Sequence, residues 1–220
     1  MNEPLVIFGN GRMAEFACAR FRRDDRFRIV GFTVDRAVLD EPRLCDLPIV
    51  PFEEVAATHP PATTRMFIAV GPVQLNRLRA ERILQARQMG YRLVTWVSAH
   101  AVIDPTARIG ENCSIGDGVT IGPNTVVEDG VSIASGSIIG HDCLLEQNCF
   151  IAINCSLNGG VRIGERAMLG AGAAIRDNVG IGADCVIGIG TAIVRDTPPE
   201  TVFVAPEAVQ LPISSRRMRL

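Results

Sequence analysis

An excess of charge of one sign is missing from this 220-residue chain: 22 basic and 24 acidic side chains leave a net charge of −2, spread along the sequence. That balance gives no basic footprint for nucleic acid and no polybasic run for anionic lipid. The short basic run SSRRMR at 214–219 reads as a solvated tail. Long apolar runs are missing too; none approaches the roughly 18 residues needed to cross a bilayer, so no membrane span is expected. The opening MNEPLVIFGNG lacks the basic segment and apolar core of a signal peptide, which places the protein in the cytoplasm as an expectation. There the seven cysteines should be free thiols, and their odd number argues against a disulfide framework. With 47% hydrophobic and 21% charged residues the composition is globular, and the length suits two modest domains.

What the chain has instead is a repeat. Stepping by six from Ile103 to Ile193 meets sixteen aliphatic residues without a break, and four positions after each lies a small residue, from Ala107 and Cys113 to Thr191 and Thr197. Strand residues two apart share a face, so the small residue and the next aliphatic both point inward. The two positions between them must turn a corner, and the second should need a left-handed backbone. That second position is Gly, Asn or Asp in fourteen of the sixteen hexapeptides, the exceptions being Thr106 and Arg166. Short strands with a corner every six residues coil into a three-sided prism of 18 residues per turn, a little over five coils in all. A period of six keeps no stripe on a helix, so an amphipathic helix is excluded.

The repeat also accounts for cysteines that could be mistaken for a metal cluster. Cys143, Cys149 and Cys155 each occupy the small inward position on successive faces. Cys113, Cys149 and Cys185, multiples of 18 apart, should stack in one interior column with Val131 and Ala167. Packing is their expected role, and no metal site is expected.

The first 98 residues read as a small, mostly parallel α/β unit, Rossmann-like in its opening. Strands are expected at 5–8, 28–34, 66–70 and 93–97, with helices from Gly11 to about Phe21 and over 73–89. Gly9, Gly11 and Ala14 form a G-x-G-x-x-A pattern, which lets a phosphate approach a helix N-terminus. Asp35 ends the second strand, where a carboxylate can meet a ribose hydroxyl, and Gly71 follows the third. An NAD-binding unit competes with a nucleotide-linked substrate here; the small size of the unit favours the latter. Of the three histidines, His59 sits in a Pro-rich loop and reads as solvated, and His100 lies where the repeat begins and could cap it. His141 takes a first corner position in Ile139-Gly140-His141-Asp142-Cys143-Leu144, where a side chain projects from the prism and the repeat asks for no histidine. Histidine is the side-chain type most often used as a general base.

The uninterrupted hexapeptides resemble the hexapeptide-repeat family, and the expected left hand of the β-helix comes from that resemblance. With the α/β unit and Gly-His-Asp-Cys, the chain is similar to the nucleotide-sugar acyltransferases that N-acetylate bacterial sugars or O-acetylate sialic acid. The resemblance implies three segments: 1–98 holding the sugar nucleotide, 99–197 forming the acyltransferase β-helix, and 198–220 as a C-terminal tail. It implies an acyl-CoA donor, acetyl-CoA above all; a UDP-, dTDP- or GDP-linked sugar; and a homotrimer with sites between subunits. Carried onto this sequence, the catalytic pair falls on His141 and Asp142, and the oxyanion-binding amide on Gly159. The acyl-CoA track falls on Gly170, Ala171, Gly188 and Ile189, and the nucleotide loop on Gly9, Asn10 and Gly11, with Asp35 and Gly71. Asp142 has a second explanation, because every corner favours Gly, Asn or Asp. The family's C-terminal Gly-x-Pro-Ala here reads Val204-Ala205-Pro206-Glu207, and its His-Pro before the β-helix reads Ser98-Ala99. The rivals are O-acetylation of a hydroxyl and a β-helix with no catalytic duty. A metal-dependent carbonic anhydrase on this scaffold would need three histidines, and only His141 lies inside the repeat.

Overall fold

The computed structural model describes residues 2–208; the basic cluster at 214–219 lies outside them. The chain opens with β1 (Glu3–Phe8), whose inner residues Leu5, Val6 and Ile7 are fully buried, followed by α1 (Arg12–Phe21) and β2 (Phe27–Val34). Then come β3 (Arg43–Leu44), β4 (Leu47–Pro51), α2 (Val55–Thr58), β5 (Arg65–Ile68) and α3 (Arg77–Gln88). The strands form one sheet in the order β3-β4-β2-β1-β5, parallel except for the short β3–β4 pair. Helix α1 packs Ala14, Ala17, Cys18 and Phe21 on one face of the sheet, while Ile83 and Ala86 of α3 join the core on the other.

From Trp96 onward the chain winds as a left-handed β-helix of two-residue strands, arranged as three parallel sheets of six, five and seven strands. Each strand pairs with the one 18 residues later: Thr120 with Ile138 and Ile121 with Ile139, then Ile138 with Ser156 and Ile139 with Leu157. Both inward positions fill one continuous core running from Cys113 to Ile193, each large aliphatic contributing about 1.5–3 kcal/mol by its burial. Two interior polar residues, Thr125 and Ser137, are paired within the stack, whereas the buried Thr191 Oγ1 has no partner among the described residues. Thr125 Oγ1 donates to the Gly140 carbonyl at 2.7 Å and accepts from the Cys143 amide at 3.1 Å, and Ser137 repeats this with Ala152 and Cys155. The expected cysteine column is in place: Cys113, Val131, Cys149, Ala167 and Cys185 are all fully buried.

Fourteen of the sixteen second corner positions have a left-handed backbone, from Asn112 (φ 52°) to Gly190 (φ 64°). Thr106 and Asp196, at the two ends of the stack, do not, whereas Arg166 does (φ 58°). An arginine tolerates this conformation poorly, and here its guanidinium grips Asp184 one coil later, with Nε–Oδ1 at 2.9 Å and Nη2–Oδ2 at 2.7 Å.

Several sequence expectations shift. The strand expected over 93–97 divides: Leu93 makes a single bridge to Met66, and Trp96–Val97, β6, pairs with Ser114–Ile115 as the first strand of the β-helix. Val202–Phe203, within the expected tail, adds a strand beside Val186–Ile187. Helix α3 starts at Arg77 rather than 73, because Gln74, Leu75 and Asn76 all have positive φ. His59 is half-buried rather than solvated: its ring lies over Gly31, its carbonyl accepts the Tyr91 hydroxyl at 2.6 Å, and burial lowers its pKa.

Helix α3 lies along one edge of the prism and touches successive coils. Arg87 pairs with Glu111 and Asp129 at 2.8 and 2.7 Å, Ile83 lies over Gly130, and Arg79 donates to the Asn148 carbonyl at 2.8 Å. At its start, Asn76 donates to the Arg166 carbonyl at 3.1 Å and Arg77 faces Asp184 at 3.5 Å. The helical pitch of about 5.4 Å nearly matches the coil spacing of about 4.8 Å, so each turn of α3 meets one coil.

Candidate active site

The corner of the β-helix after Ile139 carries the histidine. Gly140 is required there, since a Cβ would lie 2.7 and 2.8 Å from the backbone of Asn158 and Gly159 in the next coil. Asp142 takes the left-handed turn (φ 53°), and the His141 side chain projects off the edge, 65% exposed. His141 Nδ1 lies 2.7 Å from Asp142 Oδ2, and Asn124 Nδ2, one coil earlier, donates to Asp142 Oδ1 at 3.1 Å. The His141 and Asn124 hydrogen bonds hold the Asp142 carboxyl below the usual carboxylate range. An ionised carboxylate only accepts, so Nδ1 carries a proton, and in the neutral ring the lone pair is then on Nε2.

Eighteen residues on, Gly159 lies directly beneath that ring. A Cβ at 159 would run into His141 Nε2 and stand 2.5 Å from Cε1, so only glycine leaves the imidazole this seat. The next amide, Gly160, donates to the His141 carbonyl at 2.8 Å, which fixes the two coils in register. The Gly159 amide donates no hydrogen bond to another described residue.

The remaining candidate residues fall into two other groups. Gly170, Ala171, Gly188 and Ile189 stack one coil apart along a different edge of the prism; a Cβ on Gly170 would meet Ile189 N at 2.8 Å, and Ile189 is 76% exposed. Within one chain the structure therefore does not bring them to His141. Gly9, Asn10, Gly11, Asp35 and Gly71 gather at the carboxyl ends of β1, β2 and β5, where open α/β sheets bind ligands. Gly9 has φ 129°, and a Cβ there would meet the Ala69 carbonyl at 2.9 Å, while Gly11 caps α1 with open space around it. Asn10 Nδ2 donates to the Val38 carbonyl at 3.1 Å, and Gly71 lies against Met13. Asp35 is held by Arg82 through Nε–Oδ1 at 3.0 Å and Nη2–Oδ2 at 2.7 Å.

Sequence reasoning missed Asn124 and Arg82. The 18-residue spacing pointed at Asn124, the residue stacked before Asp142; nothing in the sequence pointed at Arg82. Among the described residues no group of three or more His, Cys, Asp or Glu is placed to hold a metal ion, and no helix is long and apolar enough to cross a membrane.

The stacked hexapeptides are those of a transferase: the family model for bacterial transferase hexapeptides (six repeats) matches residues 112–146 and 142–177. Comparison with curated proteins gave no match. Among solved structures, the chain is similar to PerB from Caulobacter crescentus, in complex with CoA and GDP-perosamine. Identity is 31%, 90% of this chain and 92% of that chain are covered, and the TM-score is 0.81. The acetyltransferase domain of PglB from Neisseria gonorrhoeae is 25% identical over 91% of this chain and 96% of its own, with a TM-score of 0.82. WeeI from Acinetobacter baumannii shares the fold at 18% identity and a TM-score of 0.80 over 93% of this chain and 97% of its own. The chain belongs to the hexapeptide-repeat sugar acyltransferases, and its activity is acyl transfer.

Proposed function

We propose that the protein transfers an acetyl group from acetyl-CoA to the amine of a nucleotide-linked sugar, with His141 as general base, in bacterial glycan assembly in the cytoplasm. The observation that carries this reading is the His141 ring: Nδ1 bound to Asp142, Nε2 free, and the ring seated on Gly159. As the sugar amine attacks the thioester carbonyl, Nε2 takes its proton. The carbonyl oxygen gains charge and is met by the Gly159 N–H, a donor that can supply about 3 kcal/mol to the transition state. Collapse forms the amide and expels the CoA thiolate, which takes up a proton to leave as free CoA. Asp142 keeps the imidazole in the reactive tautomer and stabilises the imidazolium that forms.

Residues 1–98 would hold the sugar nucleotide (UDP-, dTDP- or GDP-linked) at Gly9, Asn10, Gly11 and Gly71, with Asp35, steadied by Arg82, facing a ribose hydroxyl. Residues 99–197 would carry the acyl-CoA along Gly170, Ala171, Gly188 and Ile189, and 198–220 would follow as a tail. Because that track and His141 lie on different edges, a homotrimer in which one copy presents its donor to the next copy's histidine suits the geometry.

Incubating the purified protein with acetyl-CoA and a panel of UDP-, dTDP- and GDP-linked amino and hydroxy sugars tests this by release of free CoA. Release with an amino sugar, lowered about 10³-fold to a residual rate in His141→Ala, is the expected result; release only with hydroxy sugars assigns O-acetylation. No release across the panel would remove the catalytic reading in favour of a binding or assembly role.

A further inference from the structure

Away from His141, a small cleft of about 20 Å3 lies where α1 and β5 meet the first coils of the β-helix, room for one water-sized particle. Its polar lining is two arginines, Arg20 and Arg79, with Asn112, Ser114 and Ser132; none of its lining residues is acidic. Arg79 is 2% exposed. Its guanidinium donates to the carbonyls of Val70, Asn148 and Cys149, and its Nε has no partner. Burial pushes its pKa down to about 10, so the cation persists at neutral pH, and it is in none of the ion pairs among the described residues. Arg20 stacks over Trp96 at 4.4 Å and donates to Ser114 Oγ at 2.9 Å.

An isolated buried cation costs several kcal/mol unless something compensates it, and carbonyl dipoles compensate only in part. Asn112 is already satisfied, its amide exchanging both hydrogen bonds with the Ile68 backbone at 2.7 and 3.3 Å. What remains at the cleft is a donor-rich lining, the Arg79 guanidinium and the hydroxyls of Ser114 and Ser132, with Arg20, on which Asp117 also acts, beside them. We propose that this cleft binds a monatomic anion, chloride under physiological conditions, held by Arg79, Arg20, Ser114 and Ser132 at the junction of the α/β unit and the β-helix. Chloride is close to water in size, accepts from every side and neutralises the charge that water would leave uncompensated. Ser114 and Ser132 are half-buried, so the ion can enter without unfolding the junction. The site neither uses nor requires the acyl-transfer reading, and the two stand or fall separately.

The test is thermal unfolding of the full chain at constant ionic strength, exchanging gluconate, too large for the cleft, for chloride or bromide. The expected result is a melting temperature that rises and saturates with chloride and bromide alike and stays flat in gluconate. Crystals grown in bromide should show an anomalous peak in the cleft, between the Arg79 guanidinium and the Ser114 and Ser132 hydroxyls. Arg79→Met should abolish the halide response, and if it fails to fold, Ser132→Ala, at a half-buried position, should move half-saturation about ten-fold higher by removing one donor to an anion. Identical melting in chloride and gluconate, or a peak-free cleft holding only water, overturns the proposal.

Discussion

Replacing Gly159 by alanine adds one carbon where the His141 imidazole now sits. The new Cβ would fall on Nε2 and 2.5 Å from Cε1, whereas ordinary contacts need about 3.4 Å, so the ring must move by about 1 Å. It cannot do so and keep its 2.7 Å bond from Nδ1 to Asp142. A displacement of that size costs about 10²-fold in rate. The fold should not register the change: Gly159 lacks the positive φ of its neighbour Gly160 (70°), and the ring it displaces is 65% exposed. Stability should stay within about 0.5 kcal/mol. The assay is kcat for CoA release alongside the urea midpoint. The expected outcome is a kcat lowered about 10²-fold at unchanged stability, with the penalty vanishing in a His141→Ala background, because the two substitutions act through one contact. Wild-type kcat in Gly159→Ala would refute the placement of His141 as the base, and an equal penalty without His141 would move the effect to the backbone amide.

Asp142→Asn keeps a residue that tolerates the left-handed corner and removes only the carboxylate; kcat should fall about ten- to a hundred-fold with the melting temperature held, which separates catalytic duty from corner duty. Gly11→Ala meets nothing within 4 Å, so the fold should be indifferent, while the KM for the sugar nucleotide should rise about ten-fold if phosphate approaches this loop. Arg166→Gly relieves a left-handed arginine but leaves Asp184, whose side chain is 8% exposed, with only Arg77 at 3.5 Å; urea unfolding at pH 7 should show a net loss of about 2 kcal/mol. The Arg166 hydrogen bonds depress the Asp184 pKa in the folded state, so the stabilisation is present above the ordinary carboxylate range and is lost as pH falls through the depressed value; the gap between variant and wild type should close in acid. A charged thiol reagent should label Cys45 alone in the native protein: burial raises the Cys113 thiol to about 12 and Cys18 to about 11, and the other interior thiols are equally enclosed.

The β-helix was legible because its period is commensurate with its shape: one residue in six must be aliphatic and one must turn left-handed, and the composition records both. His141 stood out as the residue the pattern does not ask for. Arg166 shows the limit, since its backbone follows the neighbouring coils rather than its own preference. The first unit was less legible where local signals were weak. The β3–β4 hairpin turns through Cys45 and Asp46 (φ 49° and 65°) without a glycine, and its second strand carries Pro48 and Pro51, so neither turn nor strand announced itself. Trp96–Val97 reads as an ordinary apolar strand; which sheet it joins is decided by Ser114 and Ile115, 18 residues away. The hold of Arg82 on Asp35 spans 47 residues and leaves no trace in spacing. Asn124 was hidden for the opposite reason, since Asn at a corner is so ordinary that its bond to Asp142 attracted no notice.

The turn-per-coil match between α3 and the prism edge works as a ruler. Its marks run from Arg87 at Glu111 to Arg77 at Asp184, and they set the height of the α/β unit along the prism. Inserting or deleting a coil between those marks would put α3 out of step with the edge by one rung and break its contacts on one side of the change. A coil added after Asp184 would lengthen the prism and leave that register unchanged. Variation in β-helix length among relatives that keep this helix should therefore concentrate at the far end, and grafting a different α/β unit would succeed only with a helix cut to the same scale.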